Sequence, residues 1–354
     1  MDQLCPRSSY SEVNLTAAKS RPELEAIYED ILLEKDLYAF IRDGTIADLS
    51  ACLITHRIRN SVTCANSEII NKHWRDARIR FEAEGHAYFL KINSHKEIRF
   101  PMSVSNVWAC YFEQFDAETI IQKFYYRWCE DPSKKYYESI MKMRQRGIPD
   151  QIIQARIKEE WTDAGIIASA QGVKMHKQIE LALGGLEFDV SSLEMQYFLE
   201  LVKRELVPRG FRVFRTEWAI YDEKVMVAGQ VDALFIDASG RFHMVDWKRC
   251  KRSLDPMSNA QYSRYGLPPC EHLLDNDYVH YSLQQNLYAA ILRRRYNITV
   301  SSMTLAQLHP DYKDYQIISV PTWASLADNL LERNCIVERR EEPGRHGQAE
   351  AASS

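Results

Sequence analysis

Apolar residues recur at two different periods along this chain, and the changes of period divide it. In RPELEAIYEDILLEKDLYAFIRDG, Leu24, Ile27, Tyr28, Ile31 and Leu32 follow helical spacing, and Gly44 near the end supplies a stop. From Arg78 the pattern changes to alternation, RIRFEAEGHAYFLKINSHKEIRFPMSVS, broken at Glu84-Gly85 and Asn93-Ser94; this predicts a small antiparallel element. Helical spacing then governs the chain through AETIIQKFYYRWCED and IIQARIKEEWTDAGIIASAQGVKMHKQIELALGG, which Gly184-Gly185 ends, and again in SLEMQYFLELVKREL. A β meander follows in FRVFRTEWAIY, VMVAGQVDALFID and RFHMVDWKRC, with turns at Asp222 to Lys224 and Ala238 to Gly240. Beyond a loop from Ser253 to Asp277 come a helix, YVHYSLQQNLYAAILRRRYN, a strand pair, SSMTLAQLHP and YQIISVP, and a last helix, TWASLADNLLERN. The order predicts an α/β fold whose central mixed β-sheet carries the antiparallel meander and is flanked by helices. That domain is expected over residues 76–335, after an N-terminal helical extension (1–75) and before a polar tail (336–354) too poor in apolar residues to order.

Composition adds limits. With 45% apolar residues in 354, the chain can bury a substantial core, yet no run approaches the roughly 18 apolar residues of a membrane helix. The opening residues lack a secretory apolar run, and Glu12, Glu23, Glu25, Glu29 and Asp30 depart from the acid-poor pattern of a transit peptide. An intracellular protein with no membrane partner is expected, its compartment left open. The eight cysteines contain no CxxC pair, so neither a zinc ribbon nor an iron–sulfur cluster is signalled. Net charge is -4, so any polyanion site must be a local patch.

The stretch GQVDALFIDASGRFHMVDWKRCK sets charges into an apolar hairpin. Counting outward from the turn places Asp237 opposite Arg241 and Asp232 opposite Asp246, with Lys248 on the same face. That face continues as Leu234, Ile236, Phe242 and Met244, while Val231, Ala233, Phe235, Val245 and Trp247 take the other, so the hairpin is expected to be covered on both sides. Facing anions repel, and burial worsens the penalty. Lys248 alone could compensate as a structural ion pair; a divalent cation shared by both carboxylates is the more economical answer.

GQVDALF followed by VDWK resembles the core of the PD-(D/E)XK nucleases, in which an acid on one strand is followed by acid-x-lysine on the next. Three further features are similar to the RecB-type branch. GVKMHKQIE places His176 and Glu180 one turn apart on a helix. Glu217, in FRTEWAIY, falls near Gln230 on the preceding strand, and Gln284 and Tyr288 match a QxxxY motif on the helix after the lysine. The resemblance covers about residues 160–320, with a weaker likeness from GHAYFL to FPMSVSNVW to phage and mitochondrial exonucleases of that branch. Arg249 departs from the Thr or Ser that usually follows the lysine.

The resemblance implies a restriction-endonuclease-like core and a metal-dependent deoxyribonuclease, an exonuclease of DNA repair, recombination or replication in first place. An endonuclease of the same fold, or a nucleic-acid-binding protein without catalysis, is the alternative. It implies Asp232, Asp246 and Lys248 as the catalytic set, and His176, Asp232, Asp246 and the Trp247 carbonyl as ligands for Mg²⁺ or Mn²⁺. Glu180 and Glu217 would stand behind them, with Glu217 also a candidate ligand for a second ion. Gln284, Tyr288, Arg249, Lys251 and Arg252 would hold DNA, RNA being the other candidate polymer. Arg293 to Arg295 form a further basic run near the site in sequence.

Overall fold

The computed structural model describes residues 62–340 except 65, 259 and 261–263, and not the side chains of 334–340. The amphipathic stretch around Leu24 to Leu32 and the tail from 341 lie outside the described residues. The chain joins the core at Val62, which is fully buried beside Met175 and Ile179, well ahead of the boundary expected near residue 76.

Strands β1 (Ile79–Glu82), β2 (Ala87–Asn93) and β3 (Lys96–Arg99) form a separate antiparallel sheet, turning where the alternation breaks. The larger sheet contains β4 (Met102–Ser103), β5 (Arg212–Asp222), β6 (Val227–Ile236), β7 (Phe242–Lys248), β8 (Val300–Gln307) and β9 (Gln316–Val320). It is mixed: β5, β6 and β7 make the antiparallel meander, β8 runs parallel to β7, and β9 returns antiparallel.

The helices are α1 (Ser67–Ile70), α2 (Val104–Ala109), α3 (Ala117–Glu130), α4 (Tyr137–Gln145), α5 (Asp150–Leu183), α6 (Leu193–Leu201), α7 (Asp277–Ile291) and α8 (Ala324–Arg340). Side chains cap four of them: Ser103 takes the N–H of Asn106, Asp116 those of Glu118 and Thr119, Ser192 that of Met195, and Asn276 that of Val279. The larger sheet is covered on both faces, as its near-continuous apolar strands require. One cluster joins Leu234, Met244 and Leu305 to α2, α7 and α8; the other joins Ala233, Phe235, Val245 and Trp247 to α6 and the end of α5.

Helix α5 has 34 residues, hence a length of about 51 Å. Its first turns pack with α3 and α4 in a small core of their own around Tyr125, Ile140, Ile153 and Ile157. Its last turns belong to the sheet's core. Between them Thr162 to Lys174 is exposed throughout, except for half-buried Gly172.

Strand pairing leaves an opening at the centre of the sheet. β5 pairs with β6 from Val227 to Ile236, so β4 and β7 share the other edge of β6. β4 reaches Ala228 and β7 starts at Ala233, so Gly229 to Asp232 have no ladder on that edge. The Tyr288 ring lies against this gap: a Cβ on residue 229 would sit 2.6 Å from Tyr288 Cε1 and 3.0 Å from Val104 Cγ2. Gly229→Ala should therefore destabilise the fold by about 1–3 kcal/mol through overpacking. The check is the denaturation midpoint, which should fall at constant slope.

One sequence expectation needs correcting. Strict alternation sets Val231 with Ala233, but Val231 packs in the cluster that holds Leu234 and Met244. The change of face falls where the β5–β6 pairing passes over Glu217 and Asp232, and there Glu217 has a left-handed backbone (φ 44°) that a side chain adopts only at a cost.

Candidate functional site

The hairpin pairs Ala233 with Val245, and Asp237 accepts its closing bonds from Ser239 and Arg241, so the register expected from the turn is present. One step beyond Ala233 and Val245 the ladder stops, and side chains replace it. Asp232 Oδ2 accepts the N–H of Trp247 at 2.9 Å. On α5, His176 faces the same point: Nε2 is 2.9 Å from the Trp247 carbonyl, and Nδ1 is 3.6 Å from both Asp232 Oδ2 and Glu217 Oε1. Glu217 is held from the other side by Gln230, whose amide donates to Oε2 at 2.6 Å. One atom each of His176, Glu217 and Asp232 can be chosen with all three within 4.8 Å of one another.

Asp246 and Lys248 form the second half. Lys248 Nζ is 2.7 Å from Asp246 Oδ2 and stands 4.5 Å from the centroid of the Tyr281 ring. Without an ion, the two carboxylates have different partners: Asp232 gathers with His176 and Glu217, and Asp246 pairs with Lys248. Tyr281 was not singled out from the sequence. It lies three residues before Gln284 and seven before Tyr288, so the helical spacing that revealed the QxxxY pair also contained it.

Burial pushes the Asp232 carboxyl upward, against the pull of His176 and Lys248. Burial also raises Asp246, to about 6, with Lys248 opposing and Asp232 adding to the rise. Burial would lower His176, but Asp232 and Glu217 outweigh it and push the imidazole up to about 9. Lys248 follows the same balance: burial works against the ammonium, Asp246 and Asp232 more than compensate, and it stays above its ordinary value. The site therefore gathers three carboxylates, Glu217, Asp232 and Asp246, about two cationic groups, His176 and Lys248.

No family model matches the chain, and no curated protein matches it. Solved structures give a faint likeness. One of them, titled "Crystal structure of SSO0001", is 13% identical over 52% of this chain and 69% of that one, with a TM-score of 0.24, a value too low to carry an argument.

One imidazole and two carboxylates, those of Glu217 and Asp232, form a donor set of the kind that can hold a divalent ion. His176 Nε2 stands at hydrogen-bond distance from the Trp247 oxygen, which leaves Nδ1 facing the carboxylates. Asp246 Oδ1 is buried and receives no hydrogen bond from the described residues, so an oxygen acceptor is in place without a donor.

The outer residues fall into two groups. Glu180 pairs with Lys177 at 2.8 Å. Gln284, half-buried, donates to the Tyr288 hydroxyl at 3.0 Å, and Tyr288, only 4% exposed, packs its ring against the gap in β6. Lys251 and Arg252 are 78% and 76% exposed, with surface partners Asp311 and Asp277 that cost little to exchange. Arg293, Arg294 and Arg295 are engaged by Asp328 and by fully buried Asp222 and do not form a free basic run.

Arg249 is also an internal group, contrary to the expectation that it contacts nucleic acid. Its Nε is 2.6 Å from Glu194 Oε1 in the first turn of α6, with the two side chains only 11% and 12% exposed. Nothing near Arg249 in the sequence signals a partner 55 residues away. Arg249→Ala leaves Glu194 buried without its cation, and we expect a loss of about 2–4 kcal/mol of stability. Chemical denaturation should show that loss, and affinity for nucleic acid at a temperature where the variant is folded should be unchanged.

A cleft of 1330 Å³ opens nearby, lined by Trp108, Phe115, Lys123, Phe124, Arg127 and Arg252 among others. The first turns of α7 connect it to the site: Asp277 and His280 line the cleft, and Tyr281, next in the helix, carries the ring against Lys248. Among the described residues, no helix is long and apolar enough to cross a membrane.

Proposed function

We propose that the chain is a metal-dependent deoxyribonuclease of the PD-(D/E)XK type, with a restriction-endonuclease-like core, working from DNA ends. The observation that carries this reading is the meeting of Asp232, Asp246, Lys248 and His176 at the point where β6 and β7 part. A structural ion pair would need only Asp246 and Lys248. It would leave unexplained why Asp232, Glu217 and His176 converge beside it.

His176, Asp232, Asp246 and the Trp247 carbonyl would hold Mg²⁺ or Mn²⁺, with Glu217 close enough to join them. A bound ion would supply positive charge at the phosphate and a more acidic water. Lys248 is kept protonated by Asp246 and steadied by the Tyr281 ring, so its part is to place a fixed positive charge against the phosphoryl oxygens as negative charge develops. A raised ammonium is a poor base, which favours that role over proton abstraction. The cleft has a mixed lining in which Lys123 and Arg127 could meet phosphates and Trp108, Phe115 and Phe124 offer ring faces, beside the acids Glu113, Asp116, Asp275 and Asp277.

The test uses purified protein with end-labelled linear DNA and covalently closed circular DNA, each with Mg²⁺ or Mn²⁺. Degradation of the linear form with the circle spared is expected. Cutting of the circle would replace the exonuclease with an endonuclease of the same fold, and metal-independent binding without cleavage of either would overturn the enzyme.

A further inference from the structure

At the turn end of the meander three side chains stand in line. Asp237 closes the turn after β6, His243 follows on β7, and Ser302 lies on β8. His243 Nε2 is 3.1 Å from Asp237 Oδ2, and His243 Nδ1 is 2.7 Å from Ser302 Oγ. Asp237 and His243 are buried, whereas Ser302 is exposed. Alternation along β7 sets His243 on the face of Val245 and Trp247, opposite to that of Asp246 and Lys248, so the sheet itself separates this group from the metal site.

The carboxylate decides which ring nitrogen carries the proton. Asp237 accepts the backbone N–H groups of Ser239 and Arg241 and the Arg241 side chain. These donors, the Arg241 amide foremost, hold its carboxyl well below the usual range. Asp237 is therefore an anion that only accepts, so in the neutral imidazole Nε2 carries the proton and Nδ1 is an acceptor. The Ser302 hydroxyl must then donate to Nδ1. The Phe211 ring, stacked on the imidazole with centroids 4.3 Å apart, fixes its plane. Nucleophile, base and orienting carboxylate are thus joined in the order that activates a serine. The ladder also slips here: Phe242 pairs with Val300 and His243 with Ser302, so Ser301 is passed over. A bulged residue has no partner in the ladder, and an amide freed in this way beside the serine is the donor that a developing oxyanion needs.

We propose that Ser302 is a nucleophile, with His243 as its base and Asp237 as the orienting carboxylate, and that it takes acyl groups from small activated esters. Because the serine is exposed, such a donor needs no enclosed pocket. Ser302 Oγ bonds to the ester carbonyl carbon as its proton moves to His243 Nδ1. The C–O bond to the alkoxide then breaks, and the same proton leaves with the alcohol. Water repeats the sequence on the acyl-serine and frees the carboxylic acid.

The test is labelling of the full chain by a biotinylated phosphonyl fluoride in excess chelator, with the modified serine located by peptide mass, beside hydrolysis of p-nitrophenyl acetate. Since metal is withheld, the outcome does not depend on the nuclease reading. Ser302 is expected to react at least about a hundredfold faster in the native chain than in the urea-unfolded chain. Ser302→Ala should remove both the label and the ester hydrolysis, and His243→Gln should slow both by a similar factor. Equal labelling of Ser302 in native and unfolded chains would overturn the proposal and leave the three residues as a structural tie between the turn and β8. That comparison needs no substitution, so it decides the matter even where His243→Gln does not fold. Undiminished labelling in folded His243→Gln would also overturn it, because the base would then take no part.

Discussion

Lys248→Met should lower the rate of metal-dependent DNA cleavage by about 10²–10⁴-fold, the range associated with removing one positioned proton-transfer or charge-stabilising group. Methionine keeps the apolar stem of lysine and needs no charged partner, so it can occupy the space between Asp246 and the Tyr281 ring. What it removes is the single ammonium that Asp246 and Asp232 hold protonated. Because that charge is set against the reacting phosphate in the proposed mechanism, the loss should fall on kcat and leave binding of DNA nearly unchanged. Single-turnover cleavage at saturating protein, together with a direct binding measurement, separates the two. A variant that keeps more than a tenth of the wild-type rate would reduce Lys248 to a structural counterion for Asp246, and the proposed nuclease would lose one of its defining groups.

The hairpin was legible because its constraints are local. A turn at Ala238 to Gly240 and a period of two are enough to pair Ala233 with Val245 and to bring Asp232 and Asp246 to the end of the ladder. The same local logic located α7 and α5, since helical spacing is visible over a few turns. Three features were not legible, each for a physical reason. The change of face at Val231 coincides with a left-handed residue, Glu217, at a position where no glycine in the sequence would signal that backbone. The partner of Arg249 is Glu194, on a helix that only the tertiary fold brings near. The division of the carboxylates, Asp232 with His176 and Asp246 with Lys248, is settled by side-chain reach at ångström scale, which strand register does not resolve.

Those divided carboxylates carry a cost that a bound ion would relieve, and this gives the second large effect. Addition of Mn²⁺ at about 100 times its Kd should stabilise the protein by about 2.7 kcal/mol and raise its Tm by roughly 4 °C. Asp232→Asn should abolish that increase. Asparagine can still accept the Trp247 N–H, so the turn of the strand survives, but it removes the charge that faces His176 and adds to the burden on Asp246. In the presence of a chelator the variant should therefore melt no lower than wild type, because burial penalises the Asp232 charge more than its partners favour it, and asparagine keeps the shape without that charge. Stability without metal retained, and stabilisation by metal lost, is a pattern that a purely structural Asp232 would not give: there the substitution would lower the melting temperature equally with and without Mn²⁺. The free-ion electron paramagnetic resonance signal of Mn²⁺ measures the same affinity without reference to cleavage. It should show binding weakened by at least 10–100-fold in Asp232→Asn, as expected when a ligating carboxylate or the group that orients one is removed. Unchanged binding in that variant would place the ion elsewhere and leave His176, Glu217 and Asp232 as a hydrogen-bonded brace between α5 and the sheet.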